Sequence, residues 1–167
     1  KDSNQKTRVQ AKALIDVFVK RLTFHDIMSR LIAASTSNKK AMRASSLLTI
    51  CMVLLQHKAG SNYSAVQETA MSLVPKVCMM LGEESAELSR AVLTFLRVCV
   101  SILHEETLKN ILARITAAFC TGLGPHKSRF ITRSRGIMRK LLNRLGEAAL
   151  RQYIPPDDIA LLDYLVK

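Results

Sequence analysis

Hydrophobic residues recur at helical spacing along almost the whole chain, and no segment shows the strict alternation that is typical of a strand. The clearest example lies within residues 126–146, where apolar side chains follow the i, i+3, i+4, i+7 pattern of one helix face. This apolar stripe consists of Phe130, Ile137, Met138, Leu141, Leu142 and Leu145. The pattern predicts a helix over residues 126–145 with one face in a hydrophobic core.

Capping and turn residues divide the rest of the chain into further predicted helices. Thr23 and Ser85 are typical of the position just before a helix, and Gly60 is typical of the position just beyond one. We predict helices over residues 3–22, 23–32, 37–59, 64–81, 85–103 and 104–122 before the helix at 126–145, and a last helix from residue 156.

Two of these predicted helices have distinctive features. Ser64 and Gln67 match a capping box, in which each side chain binds the backbone amide of the other residue, so they predict a helix start at Ser64. Pro75 lies inside the same helix and removes one amide donor, which predicts a kink or a break. The helix at 3–22 has an apolar side made of Val9, Ala13, Ile15, Phe18, Val19 and Leu22.

Helices with one apolar side and a length of about 15 to 20 residues are not stable alone in water, so they must pack against one another. Two all-α arrangements satisfy this requirement. One is a closed bundle, and the other is a HEAT/armadillo-like α-solenoid of antiparallel helix pairs that repeat every ~40–47 residues. The second helices of the pairs begin near Ser64, near His104 and, less regularly, near Pro156, and the first interval is 40 residues. This interval favours the solenoid.

No segment is predicted to cross a membrane, because the longest uncharged run, residues 44–57, is shorter than the roughly 20 residues of a spanning helix. The chain opens with KDSNQKTRVQ, which has neither an apolar signal region nor a start methionine. We therefore expect residues 1–167 to be a single fragment of a larger HEAT-repeat solenoid, with a basic helix near 126–145.

The positive charge of the chain is localised. The 25 Lys and Arg residues outnumber the 13 Asp and Glu residues, which gives a formal charge of +12. Residues 125–151 supply +7 of it, because they hold eight Lys and Arg residues and the single acid Glu147. Such a segment favours polyanionic partners such as RNA. The candidate contacts to RNA or to an acidic partner are Lys127, Arg129, Arg133, Lys140 and Arg144.

Other properties of the basic helix follow from the same pattern. The cations beside the apolar stripe are expected to be replaceable without disturbing the fold, and Arg135 and Arg139 lie on the other side and serve as a control. A solvated face with local ion pairs is the competing interpretation, and the pattern leaves it open. The scattered tyrosines Tyr63, Tyr153 and Tyr164 argue against sequence-specific recognition of single strands.

No motif points to catalysis. His104 and the two glutamates after it lack the second histidine of a metalloprotease helix, and the sequence has no phosphate-binding glycine motif. The cysteines are far apart and fall among apolar residues, which predicts buried, reduced thiols. They are Cys51, Cys78, Cys99 and Cys120. We therefore predict a protein that is not an enzyme and has no catalytic residues, cofactor, metal or small-molecule substrate.

The chain resembles the end of the helical-repeat region of the ribosomal RNA processing protein twelve family. The strongest likeness is the run Gly124-Pro125-His126-Lys127-Ser128-Arg129-Phe130, followed by Arg133, Arg135, Ile137, Met138, Leu141, Arg144, Leu145, Gly146, Pro155, Asp158, Leu161, Leu162 and Lys167. The likeness extends to Lys6-Thr7-Arg8 with Ala11, and to residues 91–95 leading to Leu112. It therefore covers most of the chain.

This resemblance implies a function. Members of the family are large HEAT-repeat proteins of the nucleus and nucleolus that assist maturation and export of pre-ribosomal subunits, mainly the small one. It implies that this chain is part of an RNA-binding scaffold for pre-rRNA and ribosome assembly proteins in the small-subunit processome, able to reach the cytoplasm with pre-ribosomes. The alternative is a protein-only HEAT adaptor, such as a transport receptor or a kinase-associated solenoid, that docks acidic peptides. Binding of rRNA would weaken steeply with salt, whereas peptide docking would depend on apolar pockets.

Overall fold

The computed structural model describes residues 9–10, 13–18 and 21–166 of the chain. These ranges form an all-α fold without a strand, as the sequence predicts. The helices are α1 (Phe24–Ala34), α2 (Lys40–Gln56), α3 (Tyr63–Met79), α4 (Ala86–Ile102), α5 (Glu105–Cys120), α6 (Lys127–Leu145), α7 (Glu147–Arg151) and α8 (Ile159–Val166). Short 3-10 turns, Met80–Glu83, Gly124–His126 and Pro156–Asp158, precede α4, α6 and α8. Within these ranges we find no helix with the length and apolar character needed to cross a bilayer.

Helices α2, α4 and α6 lie side by side with their starts aligned. Lys40 Nζ, at the start of α2, donates to the carbonyl oxygen of Glu83 at 3.0 Å. Arg43, one turn later, forms an ion pair with the Glu83 carboxylate through both terminal nitrogens. His126 Nε2, just before α6, lies 3.0 Å from the carbonyl oxygen of Glu84, just before α4. These contacts define one layer of helices.

Helices α3 and α5 lie next to each other in a second layer. Tyr63 Oη is 2.7 Å from His104 Nε2 where the two helices begin. Further along, the Cys78 thiol lies 4.0 Å from the carbonyl oxygen of Arg114. The two helices therefore run in the same direction, as those of the first layer do.

Helix α4 lies at the centre of the hydrophobic core. It packs against α2 and α6 within its own layer and against α3 in the other. Phe95, Leu96 and Cys99 in this helix are fully shielded from solvent. The core is continuous from Phe24 in α1 to Leu165 in α8, so burial of apolar surface along the whole stack holds the helices together.

Two of the predicted helix starts are confirmed by their capping contacts. Thr23 Oγ1 accepts a hydrogen bond from the Asp26 amide at 3.2 Å and donates one to the Asp26 carboxylate at 2.6 Å. Ser85 Oγ accepts from the Leu88 amide at 3.4 Å. Each cap satisfies an amide that has no partner within its helix.

The capping box predicted for Ser64 and Gln67 is wrong. Helix α3 begins at Tyr63, with Asn62 at the N-cap, so Ser64 is already inside the first turn. The Gln67 side chain instead binds the turn between α4 and α5. Its Nε2 donates to the carbonyl oxygen of Ile102 at 2.7 Å, and its Oε1 accepts from the His104 amide at 2.9 Å. This tertiary contact satisfies two backbone groups and replaces the local one.

The structure differs from the sequence predictions at Gly60, where a helix end was expected, and at Pro75, where a kink or break was expected. Helix α2 ends at Gln56, before the expected stop at Gly60, which has a φ of 93° in the turn that follows. Helix α3 runs through Pro75 without a break. The carbonyl that Pro75 leaves without an amide donor belongs to Met71, a residue that is 38% exposed.

The helix predicted over residues 3–22 is only partly described. Residues 9–10 and 13–18 are helical, whereas Ser3 and Val19 lie outside the described residues. Val9 and Phe18, predicted to form an apolar side, are 63% and 54% exposed. These two residues lie outside the core that the described residues form, whereas Leu22, a member of the same predicted side, packs against it.

Candidate nucleic-acid interface

Helix α6 presents the basic segment, and its predicted apolar stripe is confirmed. Phe130, Ile137, Met138 and Leu141 are buried, and the two remaining members of the stripe are partly buried. Gly146 ends the helix with a φ of 80°, a conformation that favours glycine. With its apolar face in the core, the helix must direct most of its cations outward.

The structure divides the five predicted contact residues into two groups. Arg129, Arg133 and Lys140 are exposed on α6. Lys127 and Arg144 are partly buried, and both hold neighbouring segments of the backbone in place. Only the exposed group combines accessibility with a position beside the core.

Lys127 anchors the start of α6. Its Nζ donates to the carbonyl oxygen of Cys120 at 3.0 Å and forms an ion pair with Asp158 at 2.7 Å. The side chain of Asp158 is 15% exposed and that of Lys127 is 42% exposed, so the pair is shielded mainly on the side of the carboxylate. Lys127 therefore links the end of α5, the start of α6 and the turn before α8.

Arg144 and Lys140 join α6 to the last turn of α4. Arg144 Nη1 donates to the carbonyl oxygen of Val100 at 2.6 Å, one of the carbonyls that a helix end leaves without a partner. Lys140 Nζ donates to Ser101 Oγ at 3.0 Å on the exposed surface. Replacement of Arg144 therefore removes a structural contact, contrary to the expectation that every cation beside the stripe is replaceable.

A groove of about 290 Å³ lies between α4 and α6. Its cationic walls are Arg133 and Lys140 from α6 and Arg97 from α4, and all three are exposed. Leu93 and Ile137 also line the groove, but both are almost completely buried. We call this the α4–α6 groove.

Sequence reasoning missed Arg97, although a signal was present. Arg90, Thr94, Arg97 and Ser101 follow one another at helical spacing along the outer side of α4, with both arginines exposed. This row becomes meaningful only when α4 lies next to α6, which neither periodicity nor charge along the chain reveals.

A second groove of about 280 Å³ lies on the other side of α6, facing α8. Arg135, Arg139 and Tyr164 line it, and the Arg135 guanidinium lies 4.9 Å from the centre of the Tyr164 ring. We call this the α6–α8 groove. Arg135 and Arg139 thus belong to a second basic surface and make a poor control, and Tyr164 is not an isolated tyrosine.

Few acidic residues lie on the two helices that line the α4–α6 groove, whereas Asp163 precedes Tyr164 in α8 and forms an ion pair with Arg151. Helix α6 has no acid, and Glu87 is the only acid in α4. Across the described ranges, Arg97, Arg133 and Arg139 take part in no ion pair. The surface is therefore able to attract a polyanion without first breaking internal salt bridges.

The four cysteine thiols are shielded from solvent to different degrees. Cys51, Cys99 and Cys120 are buried and Cys78 is half-buried; all four are free thiols. Burial raises the pKa of Cys51 to about 12 and the pKa of Cys78 to about 11. In the part of the chain that the structure covers, no group of three or more His, Cys, Asp or Glu side chains is placed to hold a metal ion.

Comparison of the chain with protein-family models, with curated proteins and with solved structures gave no match.

Proposed function

We propose that this chain is a fragment of a HEAT-like α-solenoid. Helices α2, α4 and α6 begin at Lys40, Ala86 and Lys127, at intervals of 46 and 41 residues, and α3 and α5 begin 42 residues apart. These intervals lie within the range of ~40–47 residues that HEAT and armadillo units have. The parallel alignment of alternate helices in each layer also supports a repeating pair.

The proposed activity is non-catalytic binding of RNA through its phosphate backbone. The observation that carries this proposal is the α4–α6 groove, where exposed Arg97, Arg133 and Lys140 from two helices face one open surface. Cations without ion-pair partners bind phosphates with little dependence on sequence, because the contacts do not reach the base edges.

The composition of this groove also favours RNA over an acidic peptide. A docked peptide gains most of its affinity from side chains that enter apolar pockets. The apolar residues of the groove, Leu93 and Ile137, are 1% and 2% exposed, so they offer almost no surface to an entering side chain. All the charged side chains that line the groove, Arg97, Arg133 and Lys140, are cations.

The biological setting of the proposal rests on the resemblance to the ribosomal RNA processing protein twelve family. On that basis we propose a scaffold in ribosome biogenesis that acts in the nucleus and nucleolus. Its partners would be pre-rRNA and ribosome assembly proteins during maturation and export of the small subunit.

Paired variants test the RNA proposal. R97Q/R133Q removes two cations from the α4–α6 groove, whereas K76Q/R114Q removes two exposed cations from α3 and α5, in the other layer. Fluorescence anisotropy with two RNAs of unrelated sequence should show weaker binding of both RNAs by R97Q/R133Q and nearly parental binding by K76Q/R114Q. Equal losses in the two variants would mean that binding follows net charge alone and that the groove is not the site.

A further inference from the structure

The α4–α6 groove and the α6–α8 groove meet on top of α6. Both are lined by Thr132 and Gly136, so these two residues form the ridge that separates them. Both residues are exposed, and a Cβ atom built on Gly136 would meet no atom within 4 Å beyond the adjacent residues and backbone of its own helix. The ridge is therefore low at Gly136, where no side chain stands between the two grooves.

Nothing in the fold requires glycine at this position. Gly136 lies within the regular helix α6 and does not have a positive φ. Gly122, by contrast, has close neighbours, because its Cβ would lie 3.0 Å from the carbonyl oxygen of Ala118. Glycine in the middle of a helix lowers the stability of that helix. No close packing contact at position 136 accounts for a glycine there. The open space above the helix is the feature that it provides.

Cations lie on both sides of this opening. Arg133 and Lys140 line the α4–α6 groove together with Arg97, and Arg135 and Arg139 line the α6–α8 groove. Tyr164 stands in the second groove with 58% of its surface exposed. A basic path with an exposed aromatic ring in it is the combination that binds single-stranded nucleic acid, since cations contact phosphates and bases stack on the ring.

We propose that the two grooves form one channel that carries single-stranded RNA across α6 at Gly136, with phosphates on the cations of both grooves and a base against Tyr164. This inference rests on the proposed RNA-binding function and adds the form of RNA and its path. A single strand can bend into a concave path and splay its bases, whereas the stacked bases of a duplex are unavailable to an aromatic side chain.

The test fills the opening without changing the charge. Gly136→Gln places a neutral side chain over the ridge, and Gly136→Ala adds only a methyl group in empty space. Both residues favour helix more than glycine does, so both variants should keep the helical circular dichroism spectrum and melt no earlier than the parent chain. Binding is measured with a uridine oligonucleotide and with an RNA duplex of equal length.

We expect Gly136→Gln to weaken binding of the uridine oligonucleotide about 5-fold or more, and Gly136→Ala to leave it nearly unchanged. Tyr164→Ala should also weaken it about 5-fold or more because a stacking surface is lost, whereas Tyr153→Ala, at another exposed tyrosine, should have little effect. Duplex binding should change little in all four variants.

The possible results distinguish failure of the proposed channel from failure of the proposed RNA-binding function. If R97Q/R133Q weakens binding of the oligonucleotide but Gly136→Gln and Tyr164→Ala do not, the channel is refuted and the proposed function stands. Equal loss of duplex and oligonucleotide binding in Gly136→Gln would overturn the choice of single-stranded RNA. If the parent chain binds neither RNA but binds polyglutamate, the proposed function is wrong and the channel is refuted with it.

Discussion

Arg144 donates a hydrogen bond from Nη1 to the carbonyl oxygen of Val100 at 2.6 Å, which ties the last turn of α6 to the last turn of α4. This carbonyl lies at a helix end, where the helix itself supplies no amide, and a cation at that end also interacts favourably with the helix dipole. Arg144, a cation of the basic helix α6, therefore helps to hold α6 against α4. The cations of α6 do not all have the same role.

Arg144→Gln should therefore destabilise the domain. Loss of a charge-assisted hydrogen bond to a partly buried carbonyl costs about 1.5–3 kcal/mol, and we expect the melting temperature to fall by several degrees. Arg139→Gln is the matched control, because Arg139 is exposed on the same helix and carries the same charge. If thermal melts show equal small shifts for the two variants, the Arg144 contact does not contribute to stability.

Leu141→Asp should be the most damaging single change on α6. Leu141 is fully buried in the core, and its replacement puts an unpaired carboxylate among apolar side chains. We expect a loss of about 4 kcal/mol or more, enough to unfold much of the population at ambient temperature. Asn143→Asp, which adds the same charge at an exposed position two residues away, should melt close to the parent chain. An unchanged melting temperature for Leu141→Asp would show that this face of α6 is not core.

The Arg43 ion pair predicts acid sensitivity. The hydrogen bond from Arg43 holds the pKa of Glu83 below its ordinary value, and both side chains are partly shielded. The unfolded chain therefore takes up the proton first as the pH falls. The stabilisation is fully present above the ordinary glutamate pKa and is lost as the pH drops through the lowered pKa of the folded state.

Glu83→Gln isolates this contribution. At neutral pH the variant should be less stable by about 1 kcal/mol, because a partly exposed ion pair is worth little more. The difference between parent and variant should shrink as the pH falls below the ordinary pKa of a glutamate, because the unfolded chain then takes up the proton before the folded one does. Urea unfolding at a series of pH values measures both quantities. A difference that stays constant down to low pH would contradict the assigned role of the ion pair.

The four thiols should react slowly in the folded protein. Burial raises the pKa of Cys51 to about 12 and those of Cys78 and Cys120 to about 11, so the reactive thiolate is scarce at pH 8. Cys78, the only one of the four that is not buried, should be modified first. Alkylation should be about 100-fold slower than in denaturant. Rapid modification of three or four thiols without denaturant would refute this packing.

Much of the fold could be predicted from the sequence because its helices are amphipathic and their starts are locally capped. Thr23 and Ser85 needed only nearby residues to form their caps, and the stripe around Leu141 needed only its spacing. The capping box predicted for Gln67 is wrong because the partners of its side chain, Ile102 and His104, lie far along the chain. Its side chain satisfies the carbonyl of one and the amide of the other, instead of a local amide.

The residues of the candidate site that lie along α6 could be proposed from the sequence, but those that neighbouring helices contribute could not. Charge spacing identified Arg133 and Lys140, while Arg97 and Tyr164 join them only through the lateral packing of α4 and α8 against α6. The same limit applies to Lys127, whose ion pair with Asp158 spans 31 residues of sequence. The positions of neighbouring helices decide which cations are free and which are structural.

The salt dependence of RNA binding tests the central claim most directly. Binding of RNA to the parent chain and to R97Q/R133Q/K140Q is measured over a series of salt concentrations, and log affinity is plotted against log salt. The parent should show a steep negative slope, and the triple variant, which lacks three phosphate contacts, should show a slope shallower by about 2. A parental slope near zero, or the same slope for both proteins, would contradict a phosphate-binding role for the α4–α6 groove.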